Sequence, residues 1–348
     1  MNVLEVSQLQ THFFTRQGVV KAVDGVDFSL AEGQVLGLVG ESGSGKSVTG
    51  FSILGLVDPP GRVVGGQIRF RGQDLAGCTP AQMRAIRGDR IAMVFQDPLM
   101  TLNPVLRIDT QMVEAIQSHH RVSRRAALDR ACDVLTRVGI SSARERLTAY
   151  PHQFSGGMRQ RVAIAIALIN EPDLIIADEP TTALDVTIQS QILSEVQALT
   201  RDSGTALIWI THDLAVVAGM ADRIAVMYAG RIVETGPTDE VLSRPAHPYT
   251  AGLLGSIPGQ GRRGAALAQI PGMAPNMARL PEGCAFAPRC ARVGAGCTTD
   301  APEVRSLWNG RAVRCHHPVT AALDGVDTSP RVAPPTGAVP AAAAGSQP

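Results

Sequence analysis

Short apolar runs bounded by glycine and polar turn residues mark the first hundred positions, at 4–9, 26–30, 35–39, 66–70 and 91–95. Runs of this length read as strands. The stretch 47–56 instead carries apolar residues at helical spacing, so a strand at 35–39 leads through a glycine-rich loop into a helix. From 99 to about 165 the pattern turns helical: Leu128, Ala131, Val134, Leu135 and Val138 fall on one face at i, i+3, i+4 spacing. Strand-like runs return at 174–177, 206–210 and 223–228, with helices expected at 158–169 and near 187–200.

From Gly236 onward the periodicity fades. Pro and Gly thicken, four of the six cysteines appear, and 328–348 is an Ala/Pro/Gly stretch too poor in large apolar residues to fold alone. No internal repeat is visible. The pattern therefore predicts one nucleotide-binding unit over 1–235, with a helical subdomain at about 99–165. An extension follows over 236–320, and then a disordered tail over 321–348.

Composition narrows the class. With 45% apolar and 18% charged residues and a net charge of +1, the chain has the profile of a globular protein and no nucleic-acid signature. No apolar run approaches the roughly 18 to 20 residues of a membrane span, and the N-terminus lacks a signal-peptide layout. A cytoplasmic location is expected, with membrane association only through a partner. Among 32 basic residues only Lys21 and Lys46 are lysines.

Lys46 lies in Gly40-Glu41-Ser42-Gly43-Ser44-Gly45-Lys46-Ser47, which fits the phosphate-loop pattern G-x-x-x-x-G-K-[ST]. Backbone N–H groups of such a loop cradle phosphates, the lysine reaches the β- and γ-phosphates, and the hydroxyl serves Mg²⁺. A flexible ammonium suits that position where a planar guanidinium does not. Further on, the apolar run 174–177 ends in Asp178-Glu179. Asp178 is the candidate for the Mg²⁺ shell, and Glu179 for the general base that polarises an attacking water.

Together with these, Gln96 in Val94-Phe95-Gln96-Asp97-Pro98, Phe154-Ser155-Gly156-Gly157-Met158, Ala183-Leu184-Asp185 and His212 in Thr211-His212-Asp213 resemble the ATP-binding cassette of ABC transporters, in that family's order. The resemblance implies an α/β phosphate-loop NTPase (RecA-like) core. An antiparallel β subdomain and an inserted α-helical subdomain accompany it, with a small Cys-containing C-terminal extension. It implies that Gln96 senses the γ-phosphate and Mg²⁺ and that His212 contacts the γ-phosphate. Ser155, Gly156 and Gly157 would face the nucleotide of a second cassette, with Asp185 across the seam. An aromatic that stacks on adenine is also implied, and Phe13 or Phe14 fits.

Three further pieces are similar to the ATP-binding subunits of dipeptide and oligopeptide importers, a group that also serves nickel: the run Gln96 to Pro104, Arg159-Gln160-Arg161 after the signature, and His247-Pro248-Tyr249-Thr250. Cys284-Ala285-Phe286-Ala287-Pro288-Arg289-Cys290 resembles that group's extension. Met158 stands where most cassettes have Gln, which resembles one member of a pair of ATPase subunits. The implied assembly is a heterodimer of cassettes with two transmembrane permeases and an external solute-binding protein, peripheral on the cytoplasmic face. ATP and Mg²⁺ are the implied cofactors. A soluble ABC ATPase of DNA repair or translation would show two cassettes, a long coiled coil or inserted zinc modules. None is visible.

Cys284, Cys290, Cys297 and Cys315 are separated by five, six and seventeen residues, while Cys78 and Cys132 stand singly. Persistent disulfides are not expected in a cytoplasmic protein. Zinc sites prefer closer pairs, whereas a [4Fe-4S] cluster tolerates varied spacing. The cluster is the expectation, with Zn²⁺ or free thiols as alternatives; His316 and His317, beside Cys315, are read as surface residues, with substitute ligation as the alternative.

Overall fold

The structure is a computed structural model that describes residues 1–182, 184–257 and 269–319. The tail expected to be disordered lies outside the described residues.

Strands β1 (Asn2–Thr15), β2 (Gly18–Ala31), β3 (Val35–Val39), β4 (Gly61–Phe70), β5 (Gln73–Asp74) and β6 (Ile91–Val94) come first. They are followed by β7 (Leu174–Asp178), β8 (Ala206–Thr211), β9 (Arg223–Tyr228), β10 (Arg231–Pro237), β11 (Val304–Ser306) and β12 (Ala312–Arg314). Two sheets result: an antiparallel one in the order β2-β1-β4-β5, and a larger one in the order β11-β12-β10-β9-β3-β8-β7-β6. From β9 to β6 the larger sheet is parallel.

Side-chain alternation along the parallel strands splits the core in two, because successive residues of a strand face opposite sides. Leu36, Leu38, Ile176, Ile208 and Ile210 pack toward the antiparallel sheet with Leu9, Val26 and Ile53. Val35, Ile175, Leu207 and Trp209 pack on the other side against Met112, Leu135 and Val162. Those last three belong to helices Ile108–Gln117, Arg124–Arg137 and Gly156–Leu168.

The first hairpin is longer than its apolar runs. Strands β1 and β2 pair from Asn2↔Ala31 to Thr15↔Gly18, with register shifts along the way and Gln8 at φ 48°. Each bulge moves the following side chains to the opposite face, which breaks the alternation that would have marked one strand. The extension also adds strands. β10 crosses the expected boundary at 235, and β12 pairs with it through Glu234↔Val313 and Thr235↔Ala312. A third core, with Tyr228, Val241, Tyr249 and Phe286, joins the extension to the sheet.

Candidate nucleotide site

Because β3, β8, β7 and β6 run side by side in one direction, whatever follows their carboxyl ends collects at one edge. Open α/β sheets bind ligands there. The loop 40–47 follows β3, His212 follows β8, Asp178 closes β7 with Glu179 behind it, and Gln96 lies two residues beyond β6. A cleft of about 630 Å³ at this edge is lined by the loop together with Gln96, Glu179 and His212.

Gly45 adopts φ 104°, and a Cβ there would fall 2.2 Å from the Ala22 carbonyl oxygen, so only glycine lets the loop turn against β2. Lys46 opens the helix Lys46–Leu54, whose first turn carries no acidic residue. Its N-terminal amides and partial positive charge face the cleft. Lys46 itself is buried, and its Nζ donates to the carbonyls of Gly40 at 2.8 Å and Glu41 at 3.0 Å. Burial lowers its pKa, while the carboxylates of Glu179, Asp178 and Glu41 oppose that shift.

Ser47 Oγ donates to Asp178 Oδ1 at 2.9 Å. Burial raises the pKa of Asp178, and the hydrogen bond from Ser47 and the charge of Lys46 only partly compensate. A half-satisfied buried carboxylate beside a hydroxyl suits a hard cation with oxygen ligands. Ser47 and Asp178, with Gln96 nearby, are thus suited to hold Mg²⁺.

Glu179 sits at φ 45°, a left-handed conformation that costs a non-glycine residue on the order of 1 kcal/mol or more. Its N–H is fixed by the Ile210 carbonyl at 2.9 Å. Its Oε2 accepts from Thr182 Oγ1 at 3.0 Å and from Gln96 Nε2 at 3.5 Å, and lies 3.3 Å from His212 Nδ1. One carboxylate oxygen is therefore the meeting point of three strand ends.

Residues 23–182 match the family "ABC transporter", and residues 233–297 match "Oligopeptide/dipeptide transporter, C-terminal region". The dipeptide transport ATP-binding protein DppD of Bacillus subtilis is 52% identical over 76% of this chain and 79% of its own length. The oligopeptide transport ATP-binding protein OppD of the same organism is 52% identical over 74% of this chain and 72% of its own. The chain belongs to the ABC transporter ATP-binding proteins, in their oligopeptide/dipeptide branch. Among solved structures, the dimeric ATP-binding cassette MJ0796 bound to ADP and Pi superposes with a TM-score of 0.62 at 26% identity, covering 68% of this chain and 98% of that one. The cbiO1 protein of Clostridium perfringens, part of the ABC transporter complex cbiONQ, gives 0.60, also at 26% identity, over 70% and 91%. The expected cassette fold is thereby confirmed, and this ABC subunit is an ATPase that uses ATP and Mg²⁺. Among the described residues, no helix is long and apolar enough to cross a membrane.

The residues expected to serve a second cassette's nucleotide lie outside this cleft, and so do the two aromatic candidates. Ser155 and Gly156 are exposed and do not line it; Ser155 caps the helix Gly156–Leu168 by accepting from the Met158 N–H at 3.3 Å. Asp185 is likewise exposed, at the start of the helix Val186–Ser203, and Ala183 lies outside the described residues. Phe13 packs over Gly61, Phe14 stacks beneath Arg62 at 4.4 Å, and neither borders the cleft. Its apolar wall is made by Val20, Ala22, Leu253 and Met277.

Two residues at the site carried no signal in the loop itself. Tyr249 Oη accepts the Glu41 N–H at 2.9 Å, and Arg289 pairs with the Glu41 carboxylate at 2.7 and 3.0 Å. Tyr249 lies in a run that resembles the importer ATP-binding subunits, and Arg289 in the one that resembles their extension.

The four cysteines of the extension line one small cavity with His247, His316 and His317. Burial pushes the Cys315 thiol up to about 11, and it raises Cys284 and Cys290 as well. Among the described residues, no group of three or more His, Cys, Asp or Glu side chains is arranged to hold a metal ion. The thiols share a cavity but do not form a ligand set in this arrangement.

Proposed function

We propose that this chain powers ATP-dependent import of peptides as one of two paired cassettes on the cytoplasmic face of the membrane. The observation that carries the pairing is the separation of parts. Loop 40–47, Glu179, Gln96 and His212 line one cleft, with Asp178 bonded to Ser47 at its edge, whereas Ser155 and Gly156 are exposed and do not line it. In this reading two chains close face to face, and Ser155, Gly156, Gly157 and Asp185 complete the partner's site.

Glu179 then takes a proton from the attacking water while His212 and Gln96 hold its carboxylate and sense the γ-phosphate. Lys46 and the loop amides neutralise the transferred charge. Leu99, Met100 and Val105, exposed just beyond Gln96, offer an apolar contact for a permease subunit. The partner cassette would bear the complementary signature to the one around Met158.

Peptide as cargo is supported by the names of the similar dipeptide and oligopeptide transport proteins and by the matched C-terminal region. Reconstitution with the permeases, the second cassette and the solute-binding protein tests the whole reading. Uptake of labelled peptide driven by MgATP is expected. ATP-driven nickel uptake without peptide uptake would reassign the cargo, and ATPase activity indifferent to permeases and binding protein would reject the transport role.

We read the cavity lined by the four cysteines as the place a [4Fe-4S] cluster would take, which requires the thiols to draw together from their present arrangement. Anaerobic purification with iron, sulfide and zinc analysis decides the matter. Stoichiometric zinc without iron would replace the cluster, and metal-free protein would leave free thiols.

A further inference from the structure

All the polar groups of Glu41, the second residue of the phosphate loop, are engaged. Its carbonyl accepts from Lys46 Nζ at 3.0 Å and from the Ser44 N–H at 3.2 Å. Its N–H donates to Tyr249 Oη, and its carboxylate receives both outer nitrogens of Arg289. Two of these holds come from the extension, 208 and 248 residues away in sequence.

Arg289 is itself over-determined. It is 8% exposed, its Nε donates to the Pro271 carbonyl at 2.9 Å, and its guanidinium lies by Tyr228, with Nη1 3.4 Å from that Oη. Such a planar fork, locked from behind, can hold a carboxylate in one orientation. The electrostatics give the contact a purpose. Glu41 places a negative charge on the loop that must receive a polyphosphate, and an unpaired carboxylate there would repel it. Arg289 pairs with that carboxylate through both outer nitrogens and neutralises its charge.

We infer that Arg289 is a positioning residue of the ATP reaction: by pairing with Glu41 it holds the phosphate loop open to nucleotide, so that the extension is part of the ATP site. This rests on the assignment of the cleft as the MgATP site. Arg289 also ends the turn Ala287–Arg289 immediately before Cys290, whose N–H closes that turn on the Ala287 carbonyl at 3.2 Å. The thiol cavity and the phosphate loop therefore share one short piece of chain.

The test is titration of the full-length chain with a fluorescent ATP analogue and Mg²⁺, together with KM and kcat for ATP in the assembled transporter. Arg289→Ala should weaken nucleotide binding roughly tenfold, raising KM while kcat changes little. Arg289→Lys, which keeps the charge but loses the fork, should fall between. Glu41→Gln in the Arg289→Ala background should recover most of the affinity, because it removes the unpaired charge. A merely structural attachment predicts a lower melting temperature with unchanged affinity, and no rescue by Glu41→Gln. Either of those two results overturns the inference. If Arg289→Ala does not fold, Arg289→Lys decides the matter: wild-type affinity and KM would overturn the inference, and an intermediate loss restored by Glu41→Gln would support it. Failure of the wild-type chain to bind the analogue would instead reject the assignment of the cleft.

Discussion

His212 Nδ1 lies 3.3 Å from Glu179 Oε2, so the histidine that follows β8 and the carboxylate that follows β7 meet across neighbouring strands. Thr182 and Gln96 reach the same oxygen. The carboxylate is thereby held in one orientation while its other oxygen stays available to a water.

If Glu179 is the general base, Glu179→Gln preserves every one of these heavy-atom contacts and removes only the basicity. Phosphate release by the assembled pair should then fall roughly 10²–10⁴-fold at this site. Nucleotide binding should persist, and the cassettes should stay associated in MgATP. Hydrolysis near the wild-type rate, after subtraction of the partner's site, would remove Glu179 from that role.

Asp178 makes an opposite demand on stability and function. Its folded pKa is raised above the ordinary 3.8 by burial, so in the window above 3.8 the nucleotide-free fold binds more protons than the unfolded chain. The stabilising contribution is therefore full below the unfolded value and lost as pH rises through the folded one. Above the folded value the buried charge weakens the protein. Asp178→Asn should raise the melting temperature of the nucleotide-free chain by roughly 2–4 °C and flatten its decline across that pH window. The same variant should weaken Mg²⁺-dependent nucleotide binding by about tenfold or more. A lower melting temperature in the absence of nucleotide would contradict the assignment.

What was legible in the sequence followed from distance along the chain. The parallel strands show as continuous apolar runs because both faces are buried, and the loop 40–47, Asp178-Glu179 and Gln96 are each contiguous with a strand end. Phe13 and Phe14 were plausible adenine partners by chain position. The bulged register of β1 instead turns Phe13 onto Gly61 and Phe14 under Arg62, leaving Val20 and Met277 at the cleft. Arg289 and Tyr249 were invisible as loop partners for another reason. No local pattern links residues more than 200 positions apart, and the interest of that segment lay in its cysteines.

The join between cassette and extension depends on a wholly buried ion pair. Glu234 Oε1 accepts from Arg311 Nη2 at 3.0 Å and from the Ala246 N–H at 2.7 Å, and Oε2 accepts the His247 N–H at 2.8 Å. Both side chains are 0% exposed. Glu234→Ala leaves a guanidinium and two N–H groups without their partner, which should cost about 3–5 kcal/mol. Denaturant unfolding should show the loss. Hydrogen exchange should localise it to β10, β12 and the helix Pro248–Gly255. A change under about 1 kcal/mol would mean that water replaces the carboxylate at the join.

Gly156 separates the work a chain does for itself from the work it does for its partner. It is the first residue of the helix Gly156–Leu168, it is exposed, and among the described residues a Cβ built on it meets nothing within 4 Å. Gly157 differs, since a Cβ there would lie 2.9 Å from Ile188 Cγ2. Gly156→Ala should therefore leave the fold, the melting temperature and nucleotide binding by the single chain unchanged. In the closed pair the added methyl would intrude where the partner's γ-phosphate is expected. A displacement of about 1 Å at a reacting centre costs roughly a hundredfold in rate, and the loss should appear in the partner's site alone. The clean measurement pairs Gly156→Ala with a Glu179→Gln block in the same chain, so that only the partner's site turns over. Unchanged turnover in that pairing would mean that the signature helix of this chain does not face the second nucleotide.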